Sequence, residues 1–315
     1  MLRKIAVLNQ KGGVGKTTTV ANVASALAQM NRRVLVIDLD PQAHLTIHFG
    51  LDGEVAPSGI YSILTGGQTA DQALKEIRPN LWMLPAGIDL VGAEAELVNE
   101  VGREIILREQ LNTIQDRFDI ILIDCPPSLG LLTLNALSSV QEVFIPVQPH
   151  FLALQGFGRL LQTVLLVQQR INPALQVSAI LMCMFDSRTS LSAEVKDDIE
   201  RFLASARESS TPWSRAQIIP VHVRRNIKLA EAPSHGKTIF EYEPSCHGAE
   251  DYLAVTRFLF SEDLPQEAPP LRVAQPIQDI PPQQETNQNQ PVPMQTNHEN
   301  TEATHSYDSP ETHTG

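Results

Sequence analysis

Apolar residues occur in two kinds of run along the chain. Short, nearly unbroken blocks stand at Ile5–Leu8, Arg33–Asp38 (RVLVID) and Phe118–Asp124 (FDIILID). Blocks so uniformly apolar read as strands covered on both faces, as in the centre of a parallel sheet. Between them the spacing becomes helical, with Val20, Val23, Ala24 and Leu27 within Thr17–Met30. A strand, a helix and a second strand make a βαβ unit and so a parallel sheet. The alternation continues with strands at Leu81–Leu84, Val143–Val147, Val177–Met184 and Gln217–Ile219. Helices are expected at Leu90–Leu111 (one or two), Leu131–Val140, Leu154–Ile171, Ser192–Arg207 and Ala249–Phe260. Residues 45–80 carry less pattern. Turns are expected at Pro57-Ser58-Gly59 and Gly66-Gly67, and a short helix over Ala70–Ile77.

The first strand runs into Asn9-Gln10-Lys11-Gly12-Gly13-Val14-Gly15-Lys16-Thr17-Thr18. Strand, glycine-rich bend and helix form the context of a phosphate-binding loop. Gly12, Gly13 and Gly15 let the backbone curl and turn several N–H groups inward, and the positive end of the following helix adds to that field. Lys16 can reach terminal phosphates, and the Thr17 hydroxyl can reach a Mg²⁺ ion that keeps most of its waters. The strict pattern G-x-x-x-x-G-K-[ST] fails, because Gln10 stands where its first glycine belongs. In its place is K-G-G-V-G-K-T-T, with an additional lysine, Lys11, at the loop entrance.

Three acids end the flanking strands. Asp124 closes a buried strand beside the loop, where a carboxylate holds a Mg²⁺-bound water. Asp38 and Asp40 end the neighbouring strand. Two residues apart in extended chain, they point the same way. One is expected to touch the Mg²⁺ shell or the loop lysine, and the other to orient the attacking water.

Composition separates a tail from a body. Residues 263–315 hold nine of the 22 prolines, eight Asp/Glu and one Arg, a net of −7. The other 23 basic and 28 acidic residues leave the body at −5. The tail is too polar to bury a core and is expected to be disordered, which gives two parts, 1–262 and 263–315. A mildly acidic body excludes an all-over polyanion binder but not a local basic patch. Such a patch is expected around Val221–Leu229, from Arg215, Arg224, Arg225 and Lys228, with Arg188 and Lys237 outlying. The three cysteines, Cys125, Cys183 and Cys246, form no CxxC pair, which fits a reducing cytoplasm. No apolar run approaches a membrane span. The first strand begins almost at once, which leaves no room for a signal peptide or an N-terminal DNA-reading module.

The deviant loop resembles that of the ParA/MinD/nitrogenase-iron-protein ATPases. The ordered set of Lys11–Thr18, DLDPQ (Asp38–Gln42), DCPPSLGLLTLNAL (Asp124–Leu137), IPVQP (Ile145–Pro149) and LAEAPSHGKTIFEYEPSCHGAEDY (Leu229–Tyr252) is similar to the ParA/Soj partition ATPases over residues 1–260. The resemblance implies an α/β P-loop NTPase fold, a mostly parallel central sheet with helices on both faces. It implies ATP and Mg²⁺ as cofactors, bound by Lys11, Gly12, Gly13, Val14, Gly15, Lys16, Thr17, Thr18 and Pro220. Lys11 would cross into a partner subunit to touch its phosphates. Asp40 would position the hydrolytic water, Asp38 and Asp124 would serve the metal, and Pro126–Gly130 would sense the γ-phosphate. Lys11, Lys16, Asp40 and Asp124 would thus form the catalytic set. The implied partners are a second copy of the chain, non-specific double-stranded DNA gripped by Arg188, Arg215, Arg224, Arg225 and Lys228, and a ParB-like stimulating protein. The implied place is the cytoplasm, on the nucleoid, and not the membrane. One position departs from the family, where an acid usually follows IPVQP and His150 stands here.

Four functions share this fold. A partition switch, or a related switch that positions a protein cargo, fits the whole set. A MinD-like membrane switch would need a basic amphipathic C-terminal helix, and this tail is acidic and broken by proline. An iron–sulfur reductase would need cysteines paired across a dimer face, and Cys125 has no mate. A small-molecule ligase would need a substrate pocket that the residues do not announce.

Overall fold

In the computed structural model the buried blocks lie side by side in one sheet. The structure describes residues 2–51, 59–150 and 153–261. The expected tail, 263–315, and Pro57-Ser58 of the expected turn lie outside the described residues. In chain order the elements begin with β1 (Arg3–Val7), α1 (Lys16–Gln29), β2 (Val34–Asp38), α2 (His44–His48), α3 (Ile60–Leu64) and α4 (Ala70–Ala73). Next come β3 (Lys75–Arg78), β4 (Leu81–Leu84), α5 (Leu90–Glu96), α6 (Ile106–Asn112), β5 (Ile120–Asp124) and α7 (Leu131–Ser139). Then follow β6 (Glu142–Val147), α8 (Ala153–Arg170), β7 (Gln176–Phe185), α9 (Ser190–Ala206) and β8 (Gln217–Ile218). The last are β9 (Val223–Arg224), α10 (Ile227–Glu231), α11 (Ile239–Tyr242) and α12 (His247–Leu259).

The strand order is β3-β4-β2-β5-β1-β6-β7-β8, with β9 also paired to β7. Every pairing is parallel except that of β3 with β4. β2 and β5 are buried at every position, as their sequences require. Strand period two divides their side chains between two cores. Leu35, Ile37, Ile121 and Ile123 face one core, which α6, α7 and α8 cover. Val34, Val36, Ile120 and Leu122 face the other, which α1 and α12 cover.

The connection to neighbours reverses direction at β1, which pairs with β5 on one side and β6 on the other. A crevice outside the carboxyl ends of the strands is expected at such a switch point. Register brings Val7 opposite Asp124 and Asp124 opposite Asp38, so the loop and the acids share that edge.

Two local readings change. The helix expected over Ala70–Ile77 stops at Ala73, and Lys75–Arg78 forms β3 instead. A capping box of Thr69 and Gln72 starts the turn, and the open edge of β4 then offers the backbone better partners than another helical turn. The stretch Val221–Leu229, where the basic patch is expected and the pattern assigns no element, holds β9 and the start of α10.

Candidate nucleotide site

The loop between β1 and α1 is pinned before it curls. Asn9 Nδ2 donates to Pro146 O at 2.7 Å, and Asn9 Oδ1 accepts from Lys11 N at 3.0 Å. Gly13 (φ 73°) and Gly15 (φ 95°) take the left-handed conformation that side chains resist. The Val14 side chain is buried at 1% exposure, so only its backbone is available to a ligand. Lys11 is exposed, while its carbonyl accepts from Lys16 Nζ at 3.3 Å. Burial lowers the Lys16 ammonium below its usual range, and the charges of Asp124 and Asp40 oppose that shift.

The acids differ in their duties. Thr17 Oγ1 donates to Asp124 Oδ2 at 2.7 Å, while Asp124 Oδ1 is buried with no hydrogen-bond partner among the described residues. Burial and the Asp38 carboxylate push Asp124 well above the usual carboxylate range, against the Thr17 bond and the Lys16 charge. Asp40 Oδ1 accepts from Gln42 N at 3.0 Å. Asp38 is committed elsewhere, since Oδ2 accepts from Thr46 N and Oγ1, both at 2.8 Å, and Oδ1 accepts from Asp40 N at 3.2 Å. Burial raises Asp38 to about 6 against those bonds. Both Asp38 oxygens thus fasten the chain from Asp40 to the start of α2, and Asp38 is not among the residues that line the cavity at the loop. The two acids do not act as a pair, because the chain turns at Asp40 and the extended-strand argument stops there.

Gly12, Gly13, Gly15, Lys16, Thr17 and Thr18 line a cavity of about 440 Å³ together with Asp40, Gln42, Pro127 and Met184. Its electropositive loop, buried ammonium and hydroxyl suit a polyphosphate. The unpartnered Asp124 Oδ1 beside Thr17 suits Mg²⁺, which binds through few protein oxygens and keeps water on the rest of its shell. A second cavity of about 540 Å³ adjoins it, lined by Gly15, Thr18, Cys183, Met184, Asn226 and Tyr252 among others. Pro220 lines neither cavity and is exposed between β8 and β9. Val223 and Arg224, hydrogen-bonded to β7, hold that wall instead.

Sequence reasoning missed His44, His48, Met184 and Pro233 as lining groups. His48 is 1% exposed, its Nε2 has no hydrogen-bond partner among the described residues, and burial depresses its pKa from 6.5 to about 4. Below pH 6.5 the unfolded chain takes up a proton that the folded chain refuses. This histidine's contribution to stability is intact above that value and lost as pH falls towards 4, by about 3 kcal/mol in all. His48→Gln is therefore expected to lessen the drop in urea midpoint between pH 7 and pH 5 (roughly 2 kcal/mol of that window).

The five cations expected to grip DNA separate into groups. Arg188, Arg224 and Arg225 line one cleft with His222 and Asp186. Arg188 bonds Asp186 through Nε and a terminal nitrogen, both at 2.9 Å. Arg224 clasps Asp251 at 2.6 and 3.0 Å, which ties β9 to α12. Lys228 pairs with Glu231 at 2.9 Å. Arg225 is exposed and has no ion-pair partner among the described residues. Arg215 does not join them. It precedes β8, whose Gln217 pairs with Ala179, whereas Arg224 pairs with Phe185. At about 3.3 Å per residue, the step from Ala179 to Phe185 puts the start of β8, and Arg215 in the turn before it, roughly 20 Å back along the sheet.

Comparison with known proteins agrees with this geometry. Residues 2–177 match the family described as AAA domain. The chain is 41% identical over 254 residues to the sporulation initiation inhibitor protein Soj of Bacillus subtilis, covering 80% of this chain and 96% of that one. It is 42% identical over 274 residues to the chromosome partitioning protein ParA of Myxococcus xanthus, covering 86% and 92%. Among solved structures, a cobyrinic acid a,c-diamide synthase from Mycobacterium smegmatis, with bound ATP analog and magnesium, superposes with a TM-score of 0.70 at 35% identity, covering 86% and 100%. The loop, the acids and the ordered motifs thus have one source: the chain belongs to the Soj/ParA family of chromosome-partitioning P-loop ATPases.

Proposed function

We propose that this chain is an ATP-driven, Mg²⁺-dependent partition switch that dimerises on ATP, holds DNA without sequence preference, and lets go when a ParB-like protein stimulates hydrolysis. The observation that carries the reading is Lys11. It is an exposed cation at the mouth of the phosphate loop, its backbone N–H held by Asn9, and it forms no ion pair with an acid among the described residues. A second copy facing this edge would receive it at its own triphosphate. Such a contact exists only while the γ-phosphate does, so hydrolysis loosens the pair.

Within one copy the roles divide by position. The backbone of Gly12, Gly13, Val14 and Gly15 would hold phosphate oxygens, and Lys16 would neutralise the terminal pair. Thr17 and Asp124 would hold Mg²⁺ and its water, which supplies charge neutralisation for the leaving phosphate. Asp40 lines the cavity and would orient the attacking water. Thr18 lines both cavities and would meet the nucleotide where they join. Pro127 lines the cavity at the head of α7, where a γ-phosphate sensor belongs.

DNA would lie over Arg225, with Arg188, Arg224 and Lys228 beside it. A dimer doubles the patch, and phosphate contacts add through counterion release. Arg225→Glu is expected to keep ATP binding and dimerisation but to weaken DNA retention at least about tenfold at moderate salt, with a shallower salt slope. Unchanged affinity in a DNA co-sedimentation assay would move the DNA face elsewhere. Cytoplasmic location on the nucleoid follows from that face. Among the described residues no helix is long and apolar enough to cross a membrane.

The name of the Mycobacterium protein supports a second reading, an ATP-dependent amide-forming ligase. The curated relatives at 41% and 42% identity favour partition, and so does the cleft shared by three arginines. Retention on DNA with ATP but not with ADP separates the two.

A further inference from the structure

Helix α5 carries more apolar surface than the core uses. Leu90, Ala93 and Leu97 are buried, and their spacing of three and four residues makes one stripe against the core. Ile88 in the turn before α5, Val91 and Ala95 on it, and Val98 in the 3-10 turn that follows it make a second, exposed apolar set at the same spacing. These three branched residues are 65%, 62% and 53% exposed, and Val101, just beyond the helix, is wholly exposed. Residues this exposed gain little in folding from being branched and apolar, and a contiguous set marks a contact surface.

Charge surrounds the stripe on one sign. Residues 88–104 contain five acids and a single base. Glu94, Glu96 and Glu100 are exposed beside the valines. The one base, Arg103, is turned onto the Val98 carbonyl. An apolar strip with an acidic rim fits a helix or turn with an apolar face and basic flanks. A second copy of this chain fits poorly, because two-fold pairing of the strip would set acid against acid.

The strip is also fastened to the loop after β5. Glu94 Oε1 accepts from Leu132 N at 3.2 Å, at the first turn of α7. Gly130 packs so closely on that carboxylate that a Cβ there would lie 2.3 Å from Oε1. Glu94 thus links α5 directly to Gly130 and the first turn of α7. We propose that the acid-rimmed strip Ile88–Val101 is where the stimulating protein docks, through a basic amphipathic segment. Glu94 hands the contact on to the head of α7 and so to the nucleotide site. This rests on the partition reading above and names the surface that the stimulator uses.

The test is made on the full chain with Mg²⁺ and ATP. The probe is a synthetic helix of about 18 residues, with leucines at i, i+3, i+7 and i+10 and lysines elsewhere, and a scrambled peptide of the same composition is the control. The patterned peptide is expected to bind and to raise ATP turnover several-fold, and the scrambled one to do neither. Val91→Ser/Val98→Ser and, independently, Glu96→Lys/Glu100→Lys are expected to lower peptide affinity by at least about tenfold while ATP-dependent DNA retention stays intact. Equal binding to wild type and both variants, or no binding to wild type, overturns the proposal. Loss of ATP-dependent dimerisation in the serine variant would give the strip to a second copy and overturn it as well. If wild type itself shows no ATP-dependent DNA retention, the partition reading has failed, whatever the peptide does.

Discussion

Lys16→Ala loses ATP. Lys16 as a residue is 7% exposed, its ammonium feels the charges of Asp124 and Asp40, and the Lys11 carbonyl accepts its hydrogen bond at 3.3 Å. A cation held in a poorly solvated pocket meets a polyphosphate with little screening, so its removal costs more than a surface contact would. It also leaves Asp124 and Asp40 facing the phosphates without their nearest positive charge. Loss of one partner of a desolvated charge pair costs about 3–5 kcal/mol, a fall in affinity of roughly 100-fold to several thousand-fold. Isothermal titration with Mg²⁺–ATP measures it. The apo fold is expected to survive, because the Lys16 side chain makes one long hydrogen bond and its burial is itself unfavourable. A thermal midpoint within a few degrees of wild type, together with lost binding, separates site from scaffold.

Lys11→Ala loses the dimer and keeps the nucleotide. The backbone contact that shapes the loop, Lys11 N to Asn9 Oδ1, does not need the lysine side chain. That side chain is exposed, and its charge adds to burial in lowering the pKa of the His150 imidazole. Truncation therefore removes no core contact and little from ATP binding within one copy, a change of less than about threefold. The lost contact is the one across the interface, where a cation meets the partner's γ-phosphate in a site closed from water. Its loss is expected to weaken association by at least about 100-fold and to carry DNA retention down with it. Filter binding of ATP measures the first effect, and sedimentation measures the second.

The central sheet and the phosphate loop were legible because each rests on local pattern. Val34–Ile37 (VLVI) and Ile120–Ile123 (IILI) are apolar at every position, and burial on both faces is the way a strand uses them. Gly13 and Gly15 take positive φ where the glycine-rich loop predicted a tight curl. What escaped depends on partners far along the chain. Arg224 looked free beside few local acids, yet Asp251 comes from α12 to clasp it. Arg215 is near Arg224 in sequence and remote in space, since β8 and β9 meet β7 at different heights. Asp38 and Asp40 looked like a pair until Thr46 claimed the first. Helix and strand compete closely over Ala70–Ile77, and the sheet edge decided it.

The account depends on a second copy completing each nucleotide site. Sedimentation velocity with Mg²⁺ and a non-hydrolysable ATP analogue, on wild type and Lys11→Ala at matched concentrations, tests it most directly. Wild type is expected to run as a dimer with the analogue and as a monomer with ADP, and Lys11→Ala as a monomer with both. A wild type that stays monomeric with the analogue at every concentration, or a Lys11→Ala variant that dimerises as readily, would contradict it.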